Sequence, residues 1–290
     1  MADLYLENEF VKIGINTSGA ELVSIVRKED NREYMWSGDP TYWGRVSPVL
    51  FPFVGKLNNQ SYTHAGVVYN NIPQHGFARD SEFNLVEKTD DTMWLELVQG
   101  DIWKEKYPFA FTLRIGYKLN GRSVHVMWTV INNDTGEMHF SIGAHPAFMC
   151  EGGLDGYSLD FHNGMSVRAA GELNEDGVLK KESRDIVLDN GVLKLSDELF
   201  EKDALVFDGE GINTVTIIDT QNNPYLQVRF DAPQLGIWSP AGKKAPFVCI
   251  EPWFGRCDEE GYEGTLKDRK YSNTILPGHS FNKEYVIDIL

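Results

Sequence analysis

Cysteine is rare in this chain: Cys150, Cys249 and Cys257 are the whole set in 290 residues. An odd, small number in a chain of this size argues against a disulfide framework. Long apolar runs are also missing. No stretch approaches the ~20 apolar residues of a membrane-spanning helix, so no membrane partner is expected. The first ten residues, MADLYLENEF, carry acids where a signal peptide needs a basic region and then an apolar stretch. The expected location is the cytoplasm. Basic charge is in deficit, with 27 Lys and Arg against 43 Asp and Glu, a formal net charge of −16. That field repels nucleic acid and anionic membrane faces, which excludes both as expected partners. Its simplest role is solubility. A phosphorylated small molecule stays admissible, because one Arg or Lys can hold a phosphate locally.

Several catalytic signatures are absent too. No G-x-x-x-x-G-K-[ST] or G-x-G-x-x-G phosphate loop occurs. No G-x-S-x-G elbow occurs, and Ser239 in GIWSPAG lacks the first glycine in register. His139 and His145 are six apart, and Cys249 and Cys257 eight apart, neither a tight zinc spacing. No metal and no organic cofactor is expected.

What the chain does have is a period of two. VHVMWTV places Val124, Val126, Trp128 and Val130 on one face and His125, Met127 and Thr129 on the other. LQVRFD, TVTIID and FTLRIGYKL alternate similarly. Such alternation marks half-buried antiparallel strands. Turn-forming runs separate them, at 132–137, 208–213 and 219–224, and Asn120-Gly121 predicts a hairpin. Helical signals are few: SDELFEKDA (196–204), with Ser196 as a cap, and a turn in DPTYWGR. No repeat, linker or composition shift divides the chain. The reading is one all-β domain over 1–290, with two or more packed antiparallel sheets. Aromatic residues make up 12%. Most pack the core, and some suit the C–H faces of a sugar.

Three polar groups stand at apolar strand ends. His145 in SIGAHPAF follows Ile142, Gly143 and Ala144 and precedes Pro146. Glu251 in FVCIEPWFG follows Phe247 to Ile250 and precedes Pro252. His75 in IPQHGFARD is followed by Arg79. A carboxyl in such a run has its pKa raised by desolvation, which suits acid–base work near neutral pH. His-Pro and Glu-Pro share one design, since proline ends the ladder just after the reactive residue. The expectation is that the two ends face one cleft from opposite sides, as general acid and general base. His64, His139, His162 and His279 are expected in solvent, and His125 on a strand's polar side.

At these residues the chain resembles the aldose 1-epimerases, the galactose-mutarotase-like proteins, and within them the LacX-like branch. The matching pieces are GAELVSI (19–25), WGRVSPVLFPFVGKL (43–57), QHGFARD (74–80), SIGAHPAF (141–148), KDALVFDG (202–209) and CIEPWFG (249–255), in that order. The resemblance implies a β-supersandwich with a sugar cleft across its concave face. It implies an isomerase that interconverts the α and β anomers of a hexose, with Glu251 as base and His145 as acid. His75, Lys56 and Asp203 would contact the sugar, with Asp208 the alternative to Asp203. Trp43, Trp253 or Phe254 would supply a stacking wall. One rival is a hexose-6-phosphate 1-epimerase, with Arg79 on the phosphate, helped by Lys56 or Arg45. Another is a non-catalytic carbohydrate-binding module on the same fold. A glycosidase ranks last, because only Glu251 has a fitting setting. The expected partner is a small sugar or sugar phosphate. A homodimer through an exposed sheet edge is compatible with this reading.

Overall fold

The computed structural model describes residues 2–209 and 211–290. Two large antiparallel sheets dominate. One runs, from edge to edge, through Val192–Lys194, Ser158–Asp160, Thr214–Ile218, Pro224–Phe230, Ser280–Ile289, Ser123–Asn132, Phe111–Asn120, Thr92–Val98 and Asn84–Lys88. The other runs through Leu179–Val187, Val167–Leu173, Leu205–Asp208, Gln234–Trp238, Phe247–Phe254, Ile142–Ala144 and Val49–Leu50, with Ala147–Met149 also paired to Phe247–Phe254. A four-stranded sheet, from Leu4–Glu7 to Arg32–Glu33, opens the chain.

Alternation explains how the sheets stack. In Ser123–Asn132 every second residue, Val124 to Val130, is buried, as the sequence pattern requires. The hairpin forms with Phe111–Asn120, and Asn120 faces Ser123. Gly121 takes the first turn position at a φ of 59°. On the second sheet Leu205, Phe207, Leu235, Ile237, Val248, Ile250 and Phe254 enter the shared core. There Phe207 meets Phe161, and Phe254 meets Trp128. One buried cluster runs from Leu6 to Ile289, so the all-β architecture is as the periodicity predicts. The segment 196–204 makes a short 3₁₀ turn at Asp197–Phe200, and Ser196 stands before it without a side-chain cap bond. Asp197 instead accepts hydrogen bonds from the backbone of Gly242 and Lys244.

Candidate active site

The site lies on the face of the second sheet turned away from the shared core. All eight residues of Phe247–Phe254 are buried, but they split between two environments. Val248, Ile250 and Phe254 point into the core, while Cys249, Glu251 and Trp253 point the other way. The strands Ile142–Ala144 and Ala147–Met149 both pair with this one. Gly143 faces Trp253 and Ala147 faces Cys249, so His145 falls level with Glu251. Pro146, without an N–H, interrupts the pairing there. Register therefore brings the imidazole and the carboxyl together, with His145 Nε2 3.4 Å from Glu251 Oε2. They stand side by side on neighbouring strands. The expectation of two groups facing each other across a cleft is corrected by this register.

Aromatic rings fix the imidazole. Trp43 stacks on His145 with centroids 4.7 Å apart, and Trp238 meets its edge at 5.5 Å. Trp253 lies flat against the sheet. A Cβ at Gly236 would come within 2.4 Å of its indole, and one at Gly143 within 2.6 Å. Both neighbouring strands thus need glycine there.

His75 reaches the same place from a tight turn. It has a φ of 65°, and Gly76 follows at 70°. A Cβ at Gly76 would sit 2.2 Å from the Phe51 carbonyl oxygen, so only glycine lets the turn close. The His75 ring stands edge-on to His145, with centroids 5.7 Å apart. Its Nδ1 accepts a hydrogen bond from the Gly55 N–H at 3.0 Å, and its Nε2 lies 3.2 Å from the Gln74 side-chain amide. Arg79 donates to the Gln74 carbonyl at 2.7 Å and approaches Asp80 at 3.8 Å. Arg45 binds the same Asp80 at 2.8 Å.

Together these groups line a cleft of about 370 Å³, within the range of about 300–1,000 Å³ for small-molecule sites. His145, Glu251, His75, Arg79 and Asp203 are all in its wall, as are Trp43, Arg45 and Trp253. Lys56 is not; its stem packs against Gly177, a wall residue. Asp208 is not in the wall either. It is held by Gln234 and by Tyr271, so of the two aspartates only Asp203 faces the cleft. Phe254 turns into the core. Sequence reasoning passes over Gln74, Trp238, Leu173 and Gly177. Gln74 adjoins His75 in QHGF, and Trp238 ends a strand just before Ser-Pro, the same strand-end pattern that marks His145. Ser239 is structural: buried, it donates to the Phe247 carbonyl at 2.9 Å. His139 corrects another expectation. It is buried in the short pair Met138–Phe140 with Asn273–Ile275, its Nδ1 2.9 Å from Thr274 Oγ1.

The electrostatics follow from burial. Glu251 is 1% exposed, and desolvation, reinforced by the nearby charge of Asp203, pushes its carboxyl well above the usual range. Desolvation pushes His145 down to about 3. His75 is driven well below its ordinary value by burial and then by the neighbouring His145. Arg79 falls to about 10, through burial and the adjacent Arg45. Glu251 Oε2 and His145 Nδ1 are buried and have no hydrogen-bond partner. A buried polar atom without a partner is costly unless a ligand completes it. Among the described residues, His145, Cys249 and Glu251 bring donor atoms within 4.8 Å of one another. No spacing rule announces this cluster, since its members come from two chain segments. It consists of the imidazole–carboxyl pair and a buried thiol on the same sheet face, which burial pushes well above its ordinary value.

Comparison with known proteins agrees with this fold. The family model for aldose 1-epimerase matches residues 3–283. The chain belongs to the aldose 1-epimerase family. The chromosomal and plasmid LacX proteins of Lactococcus lactis are each 33% identical to it, over 98% of both chains. The crystal structure of a galactose mutarotase related enzyme from Lactobacillus acidophilus superposes with a TM-score of 0.91 at 32% identity, covering 99% of this chain and 97% of that one. A galactose mutarotase-like protein from Lactobacillus casei gives 0.91 at 30% identity, with 99% of both chains covered. The fold is thus that of the galactose mutarotase-like proteins. Among the described residues no helix is long and apolar enough to cross a membrane.

Proposed function

We propose that the protein is a hexose 1-epimerase that opens and recloses the sugar ring by proton transfer through Glu251 and His145. One observation carries this reading: the two groups stand side by side, 3.4 Å apart, with unpartnered atoms at the cleft. Ring opening moves protons at two oxygens bonded to one carbon. An acid and a base must therefore act next to each other. The pair carries one proton, and burial keeps it neutral in total charge. Burial favours that proton on Glu251 in the free site; passed across the 3.4 Å contact to His145, it leaves Glu251 to take the C1 hydroxyl proton while His145 gives its proton to the ring oxygen. The C1–O bond to the ring breaks and an aldehyde forms. Rotation about C1–C2 presents the other carbonyl face, and closure runs with the roles reversed. His75 and Gln74 together contact a sugar oxygen, Asp203 accepts from a hydroxyl, and the tryptophans cover the C–H face. Each acid–base role contributes on the order of 10²–10⁴-fold. Glu251→Gln is expected to remove at least about 10²-fold of the rate constant for anomer exchange while the protein stays folded. Wild-type exchange by the purified variant would overturn the assignment.

A phosphorylated substrate is favoured by a different observation. Arg45 and Arg79 both line the cleft and share one carboxylate, Asp80, and Arg79 Nε is buried without a hydrogen bond, 3.8 Å from that carboxylate. Two guanidiniums against one acid leave positive charge for a phosphate. Arg79→Ala is expected to lower kcat/KM for a hexose 6-phosphate far more than for the free hexose if this second reading holds. Equal losses on both would reject it. Tight hexose binding without any exchange would instead mark a non-catalytic carbohydrate-binding protein.

A further inference from the structure

Glu251 and His145 have a third neighbour that the proton chemistry does not use. Cys249 lies two residues before Glu251 on the strand Phe247–Phe254, so the two side chains leave the same sheet face. Ala147 faces Cys249 on one neighbouring strand and Trp238 faces it on the other. His145, two residues before Ala147, brings its imidazole alongside. A ring nitrogen of His145, the Cys249 Sγ and a carboxyl oxygen of Glu251 all lie within 4.8 Å of one another. Glu251 and His145 are in the cleft wall, and the fully buried Cys249 lies behind them.

Spacing and donor chemistry both fit a thiophilic divalent cation. Tetrahedral zinc, with bonds of about 2.0–2.3 Å, holds its ligand atoms about 3.3–3.6 Å apart. His145 Nε2 and Glu251 Oε2 stand 3.4 Å apart. The Cys249 side chain turns about a single bond, and its Sγ has at most about 1 Å to close. The imidazole is held in place, with Trp43 stacked on it and Trp238 at its edge. Glu251 is 1% exposed, and its Oε2 has no hydrogen-bond partner. A thiol, an imidazole and one carboxyl select against magnesium and calcium, which take six or more oxygens. Charge also balances. The thiol proton and the single proton of the pair leave as a divalent ion enters, so the buried site stays neutral. Three protein ligands leave the fourth position toward the cleft, where a water completes the tetrahedron.

We propose that His145, Cys249 and Glu251 form a zinc site at the floor of the cleft, and that zinc bound there inhibits the protein by taking the place of the proton that the pair moves. The inhibition rests on the epimerase reading above; the binding does not.

The test is zinc binding by EDTA-treated protein, followed by competition with a zinc-sensitive dye. It compares the wild type with Cys249→Ala, Glu251→Gln and Cys257→Ala. Cys257 is the control, as the other unpaired thiol beside the cleft. The wild type is expected to bind one zinc per chain. Affinity is expected to fall at least about 100-fold in Cys249→Ala and in Glu251→Gln, and to hold in Cys257→Ala. Cadmium added to Cys257→Ala is expected to give the ultraviolet charge-transfer band of a thiolate complex. No zinc binding by the wild type, or equal affinity in all four proteins, would overturn the site. So would a loss confined to Cys257→Ala. Melting curves without metal show which variants are folded. If Cys249→Ala is not, undiminished affinity in Glu251→Gln or a missing cadmium band in Cys257→Ala overturns the site by itself. Zinc that fills the site is expected to slow hexose exchange at least about tenfold, with EDTA restoring the rate. Undiminished exchange with the site filled would overturn the inhibition and the catalytic role of the pair together. Absence of exchange even without zinc would reject the epimerase reading and with it the inhibition, and the binding results alone would then decide the metal site.

Discussion

Glu251 is a carboxyl group held where a carboxylate is costly. Unfolded, it ionises near its ordinary value of 4.5; folded, it does so well above that. Below the unfolded value both states are protonated and the burial carries no ionisation penalty. As pH rises through the folded value the stability is lost, because only the unfolded chain gains by ionising. An amide at this position cannot ionise. Glu251→Gln is therefore expected to melt at a higher temperature than wild type at neutral pH, with the gap closing below about pH 4.5. A variant that is inactive and no less stable would separate chemistry from folding. A lower melting temperature at neutral pH would contradict the burial argument. The rate should also report the shared proton. It is expected to be flat above about 3, where His145 would take a second proton, and to fall on the alkaline side as Glu251 loses the last one. A kcat/KM that rises through the ordinary carboxylate range would mean that Glu251 titrates as if in water. At this scale the sequence is readable: a His-Pro and a Glu-Pro at apolar strand ends point to the pair that the fold brings together. The choice between Asp203 and Asp208 is not readable, because both sit in one short segment and only the fold turns one of them to the cleft.

The strand Phe247–Phe254 shows why element-level patterns stop short of the site. Its residues are buried on both faces, so no polar–apolar alternation reveals which face is core. The strand Ser123–Asn132 has one wetter face and is legible from its alternation alone. Glycine carries the hidden information. Gly143 and Gly236, on the strands either side of Phe247–Phe254, leave room for the Trp253 indole. Gly236→Ala puts a methyl where the ring lies. It is expected to destabilise the fold by about 1–3 kcal/mol. It should also shift Trp253, which donates to the Ala144 carbonyl at 3.2 Å beside His145. Thermal melting together with the KM for hexose checks this. An unchanged melting temperature and KM would mean that Trp253 is not pinned by the two glycines.

At the scale of the whole molecule, separate sheets meet at the cleft. Glu21, which leads into the strand Leu22–Arg27 of the opening sheet, accepts hydrogen bonds from the Val46 and Ser47 N–H groups at 2.9 and 2.8 Å. It thereby anchors the loop that presents Trp43 and Arg45. The all-β class and the sheet packing follow from periodicity, while this long-range tie has no local signal. Net charge also acts over the whole molecule. At −16 the protein repels an anionic substrate, and salt screens that repulsion over about 10 Å at 0.1 M. For a hexose 6-phosphate, kcat/KM is expected to rise with ionic strength until the local Arg45–Arg79 attraction is screened as well. For a neutral hexose it is expected to stay flat. A neutral sugar with strong salt dependence would point away from simple screening.

The most direct measurement is anomer exchange observed by NMR for glucose and galactose at a pH where spontaneous exchange is slow. Catalytic amounts of the wild-type protein are expected to broaden or exchange the α and β C1 signals of at least one hexose, and Glu251→Gln is expected not to. Exchange at the spontaneous rate for both sugars and for their 6-phosphates, with the wild-type protein folded, would contradict the claim that Glu251 and His145 form a working acid–base pair.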